Sequence, residues 1–147
     1  MHTLHFLQGY YQVSGHLVQI EDFMCNLPNN HFEHGATSGN MFAVVRRGVC
    51  KFSTKVETAV KAGFEGVVIL DDQNNTDVKR ISGVKTSLTE NVPVVFLLRK
   101  EAAILKRLLA ESQNITATIQ GEFFYINIWK KGKVFLFLTK IYLFSQL

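Results

Sequence analysis

Several residues in this chain have types and spacings that chemistry uses. Cys50 stands between an apolar run and a segment of helical periodicity. A helix N-terminus stabilises a thiolate, so the position suits a nucleophile, an unpaired structural thiol or one half of a disulfide. Asp71 and Asp72 close the apolar run GVVIL. That is where open α/β sheets present carboxylates to ligands, and paired carboxylates bind a cation or shift one another's pKa. The plainer alternative is a solvated strand end. His31 and His34 lie three apart with Glu33 between them. They would form part of a zinc set if a third ligand arrived from elsewhere, although the surrounding glycine and asparagine favour an exposed loop. The stretch GVCKFSTK has a superficial likeness to a phosphate-binding loop. Gly48 stands alone there, however, where such a loop needs a glycine-rich turn ending in Gly-Lys-Ser/Thr, so a tight turn is expected. Neither a G-x-S-x-G elbow nor an H-E-x-x-H pair occurs. The catalytic alternative for this chain is therefore a small metal-dependent or thiol hydrolase using His31, His34, Asp71, Asp72 or Cys50.

The elements that would position these residues follow from periodicity. Residues 3–20 alternate and are rich in aromatics, which reads as a hairpin turning at Ser14-Gly15. The glycine, asparagine and serine of residues 25–40 predict a surface loop, and MFAVVRR a short buried strand. Thr54 and Glu57 form an S/T-x-x-E pattern, so a capped helix is expected to begin near Thr54. Val56, Ala59, Val60 and Gly63 make its apolar stripe, with Gly63 suited to the left-handed residue that ends it. GVVIL then reads as a strand covered on both faces, so residues 42–70 form a βαβ unit with a right-handed crossover. Residues 94–98 predict a further strand, Ile104, Leu105, Leu108 and Leu109 a face of a second helix, and ITATI a closing strand. Residues 73–91 are polar and aperiodic, as a mobile surface segment would be.

The chain has 147 residues, about one domain, and its 47% hydrophobic and 19% charged composition is that of a folded globular protein. Its net charge is +4, and four lysines (Lys130, Lys131, Lys133, Lys140) against the single Glu122 put most of that after residue 120. The remainder is nearly neutral, so no nucleic-acid partner is expected. Residues 121–147 hold five of the twelve phenylalanines, but their apolar stretches fall short of the ~20 residues of a membrane span. This tail is expected to form neither a clean helix nor a strand and to lie outside a domain of residues 1–120. Two cysteines are too few for a four-thiolate zinc site and are compatible with one disulfide. Asn74 and Asn114 begin N-glycosylation sequons. The first residues lack the pattern of a signal peptide, leaving a fragment of a longer secreted protein or a cytosolic chain.

The order of these features resembles a known family. An apolar strand, Arg47-Gly48, Cys50-x-Phe52, Lys55, the pair Ala62-Gly63, an apolar strand, and later a strand and helix introduced by Pro93 are similar to the protease-associated (PA) domain. The likeness spans roughly residues 10–119. It implies an α/β fold, a three-layer β/β/α arrangement in which a partly open, barrel-like sheet is flanked by two helices. It also implies a non-catalytic interaction or substrate-recruiting module of a larger protease, sorting receptor, RING-type ubiquitin ligase, signal-peptide-peptidase-like protease or mannosidase-like protein. On this resemblance Cys25 pairs with Cys50, and Arg47, Gly48, Phe52, Lys55, Gly63 and Pro93 are structural. No cofactor or metal is expected. A protein or peptide ligand is expected at loops 29–40 and 71–91. The setting would be the lumen of the secretory or endosomal pathway or the cell exterior, in a host that can be membrane-bound. The chain departs from fuller family members in lacking a signal sequence, a host catalytic or RING region, and a proper membrane segment at its end.

Overall fold

The computed structural model describes residues 12–27, 39–71, 89, 91–112, 114–120, 123–130 and 133–140, with residues 128–130 and 133–140 described by their backbone. The elements are β1 (Gln12–Gln19), β2 (Met41–Arg46), α1 (Phe52–Lys61), β3 (Gly66–Leu70), β4 (Val94–Leu97), α2 (Arg99–Glu111), β5 (Ile115–Gln120), β6 (Phe123–Lys130) and β7 (Lys133–Lys140). They build a mixed α/β fold, a single partly open sheet of order β4-β3-β2-β1-β5-β6-β7 with two helices. β1 to β4 are mutually parallel, and β5 to β7 continue the sheet from β1 in antiparallel register.

β3 and β4 are buried at every position, and β2 at all but its last, as expected of parallel strands covered on both faces. One apolar cluster joins Phe42, Val44, Val68, Leu70, Val95 and Leu97 to Ala102 and Leu105 of α2 and to Ile115, Ile119, Phe124 and Ile126 of β5 and β6. On the other face, Ala43, Val45, Val67, Ile69 and Phe96 pack with Phe52, Val56 and Ala59 of α1. Alternate residues of the same strands thus serve different helices, as the period of two requires.

Three expectations are corrected. Ser14-Gly15 is not a turn: β1 runs straight through it, and residues 1–11, the other half of the expected hairpin, lie outside the described residues. A Cβ on Gly15 would stand 3.0 Å from both the Asn40 carbonyl oxygen and the Phe42 ring, and one on Gly66 would stand 2.8 Å from that ring. The two glycines leave room for a fully buried phenylalanine on the strand between them. Thr54 is not the cap of α1 either. The helix starts at Phe52, and its cap residue Lys51 makes no side-chain capping bond. Glu57 instead pairs with Lys61 at 3.2 Å, one turn on. At the other end Gly63, φ 97°, donates to the Val60 carbonyl, and Phe64 to that of Ala59, which is a left-handed helix stop.

The third correction concerns the residues after 120. They were expected to form no clean strand, yet β6 and β7 are eight-residue strands of the same sheet. Phe124 and Ile126 are fully buried in its core, so apolar packing continues past the boundary expected at residue 120.

Candidate functional site

Because β1, β2 and β3 are parallel neighbours, the segments leaving their carboxyl ends start from one end of the sheet. They begin at Ile20, Arg47 and Asp71. Covalent and ionic bonds tie all three together. Cys25 and Cys50 form a disulfide with their Cα atoms 5.9 Å apart, joining the first segment to the second. Arg47 donates from Nη1 to Asp71 Oδ2 at 2.7 Å, and from its backbone N–H to the Leu70 carbonyl at 2.9 Å, joining the second to the third. Asp71 is fully buried while Arg47 keeps partial contact with solvent. The Arg47 guanidinium also lies 5.6 Å over the Phe52 ring, within cation–π range.

Local backbone chemistry shapes each segment. After β1, Asp22 accepts the Met24 backbone N–H at 2.7 Å, a short Asx turn that carries Met24 at φ 57° and buries its side chain completely. After β2, Gly48 has φ 116°, open to glycine alone without strain, and Val49 follows at φ 72°. The Cys50 N–H closes this three-residue turn on the Gly48 carbonyl at 2.9 Å. A β-branched residue is strained at such a φ. Val49 is nonetheless 80% exposed, and Leu27, two residues past the other cysteine, is 53% exposed. The stapled end thus shows solvent two apolar side chains, beside the exposed Arg46 and Lys51.

Beneath this surface lies Lys55, fully buried in the first turns of α1. Its Nζ donates to the Phe23 carbonyl at 2.6 Å and stands 4.0 Å from Cys25 Sγ and 5.3 Å over the Phe23 ring. Burial pushes Lys55 down to about 8, with the Asp22 carboxylate acting in the opposite sense. Arg46 covers the same Phe23 ring from 5.1 Å. Phe23 and Asp22 were not singled out from the sequence. Lys55 was singled out only by the family resemblance, and in the structure it falls on the buried face of α1 with Phe52, Val56 and Ala59.

The structure separates the other candidate residues. Asp71 is neither a solvated strand end nor an open ligand, because it is buried against Arg47. Cys50 is held in the disulfide and is no free nucleophile. His31, His34, Asp72 and Asn74 lie outside the described residues, as do most of the loops 29–40 and 71–91. Among the described residues no three His, Cys, Asp or Glu side chains gather where they would hold a metal ion. Pro93 is buried and its carbonyl accepts the Val67 N–H at 3.0 Å. Phe52 meets Phe96 edge to face at 5.3 Å, and Asn114 is exposed just before β5.

Comparison with known proteins agrees with this architecture. Residues 13–105 match the family model described as PA domain. Signal peptide peptidase-like 2 of Arabidopsis thaliana is 29% identical over 76 residues, covering 52% of this chain and 14% of that protein. An aminopeptidase of Pseudomonas aeruginosa strain UCBPP-PA14 is 38% identical over 56 residues, covering 37% of this chain and 10% of the other. Among solved structures, the aminopeptidase from Aneurinibacillus sp. strain AM-1 superposes with a TM-score of 0.55 at 21% identity, over 87% of this chain and 28% of that one. The chain thus corresponds to a small part of each of these proteins.

Proposed function

The chain belongs to the PA domain family, and from that premise we propose that it is a non-catalytic module of a larger secretory or endosomal protein, holding a protein or peptide segment. The host would be a protease, ubiquitin ligase or glycosidase, with the module on the luminal or extracellular side and Asn74 and Asn114 available as glycan acceptors. The segments leaving β1 and β3, through loops 29–40 and 71–91, would contact the ligand.

One observation carries this reading. The three segments at the carboxyl ends of the parallel strands are cross-tied by Cys25–Cys50 and Arg47–Asp71 into one rigid end. Open α/β sheets bind ligands at that end, and loops on a fixed scaffold vary in sequence without disturbing the core. The disulfide supports the oxidising compartment, where such bonds persist. Burial of Asp71 and oxidation of Cys50 remove two of the groups a hydrolase of this chain would need.

The test is selection of a displayed peptide library on the full chain, with fluorogenic peptide and ester substrates assayed in parallel. The reading expects enriched peptides whose binding weakens when Arg47→Ala loosens the cross-tied end, and no turnover. Failure to enrich any peptide, or turnover that tracks the chain through purification, would contradict it.

A further inference from the structure

Lys55 poses a problem that packing does not solve. Burying an ammonium is unfavourable, and a methionine would fill the same helical position without that cost. The charge sits 4.0 Å from one sulfur of the disulfide and donates to a neutral carbonyl, that of Phe23, at 2.6 Å. We propose that Cys25–Cys50 is a thiol-exchange site of fixed polarity: an incoming thiolate adds to Cys50 Sγ, and Cys25 leaves as a thiolate held by the Lys55 ammonium.

The exchange balances without another reactant. A bond forms between the incoming sulfur and Cys50 Sγ, the Cys25–Cys50 bond breaks, and its electron pair stays on Cys25. The incoming thiol, a glutathione-type cysteine thiol or a protein dithiol, is oxidised to the mixed disulfide as Cys25 is reduced. The sulfur with the lower thiol pKa is the better leaving group, and an adjacent cation lowers that pKa. Cys50 has a rival stabiliser in the N-terminus of α1. It precedes the cap residue Lys51, however, and so stands outside the first turn, where the dipole's half charge falls off. Lys55 carries a whole charge in buried surroundings, where screening is weak. Asp22 opposes its effect from the β1 side, and Arg46 lies over the same Phe23 ring at 5.1 Å.

Access does not separate the two sulfurs, since Cys25 and Cys50 are both half-buried, and the polarity rests on the place of Lys55 beside Cys25. The exchange itself needs only the disulfide and Lys55, and no bound peptide.

The test is brief incubation of the full chain with glutathione, acid quenching, alkylation of free thiols and peptide mass mapping. The expected result is roughly tenfold more glutathione on Cys50 than on Cys25. Equal labelling, an excess on Cys25, or no adduct at all would overturn the proposal. Lys55→Gln, similar in length but uncharged, should bring the ratio toward one, and an unchanged ratio would also overturn it. Should that variant not fold, Cys50→Ser leaves Cys25 free with Lys55 in place. Its alkylation should then show a midpoint below about 7.5, and the ordinary value of about 8.5 would refute the idea.

Discussion

The two halves of the sheet use the same apolar chemistry and differ in what holds their ends. In the parallel half, β4 to β1, the strands β2 to β4 are buried on both faces and covered by helices, and the connecting segments leave from shared ends. There a disulfide, an ion pair and a buried lysine bind those segments to one another. In the antiparallel half, β5 alternates buried Ile115, Ala117 and Ile119 with half-exposed Thr116 and Thr118. Ser14 and Thr118 share a hydrogen bond of 2.7 Å on its outer face, between directly opposed residues. The parallel half is thus built to fix loops, and the antiparallel half to complete a core.

Substitutions can separate these roles. Phe124→Ala empties a fully buried site in the antiparallel half and should cost about 3–5 kcal/mol in denaturant unfolding. An effect under about 1 kcal/mol would mean that β6 does not belong to the core. Removing the disulfide with Cys25→Ser and Cys50→Ser opens a sequence separation of 25 and should cost about 3 kcal/mol on the same measurement. Arg47→Ala deprives the buried Asp71 of its guanidinium partner, with an expected loss of about 2 kcal/mol. Val49→Gly should act in the opposite direction. It releases a β-branched residue from φ 72°, for a net gain of about 1 kcal/mol after glycine's greater chain entropy is subtracted.

The smallest effect concerns pH. Lys55 holds its proton less tightly folded, at about 8, than its ordinary 10.5. Between those values the unfolded chain binds more protons, so this site's contribution to stability rises with pH. The melting temperature of the wild type should therefore gain on that of Lys55→Met across that window. A constant gap would show that Lys55 is not perturbed by burial.

Much of the parallel half was legible from residues alone. The unbroken apolar run of β3 declared a strand covered on both faces, residues 94–98 a further strand and Gly63 the end of α1, because these signals are local. Ser14-Gly15 misled for a non-local reason: the glycine makes room for Phe42, which arrives from another strand. Thr54 and Glu57 satisfied a capping pattern, but packing of Phe52 into the core began the helix two residues earlier. β6 was hidden by its mixture of aromatic, polar and basic residues. Read with a period of two, Phe124 and Ile126 fall on one face, and those are the two that bury. At the site, the cysteine pairing and the place of Arg47 followed from the family resemblance. The Asp22 turn and the Phe23 ring were not legible, because single polar and aromatic residues in a loop give no periodic signal.

Hydrogen exchange before and after reduction of the disulfide tests the platform most directly. Met24, Arg47 and Cys50 each have a backbone N–H bonded within the cross-tied end. These amides should be protected in the oxidised chain and lose protection together on reduction, while those of β5 and β6 keep theirs. Independent changes at the three positions, or none at all, would contradict the conclusion that the strand ends form one rigid unit.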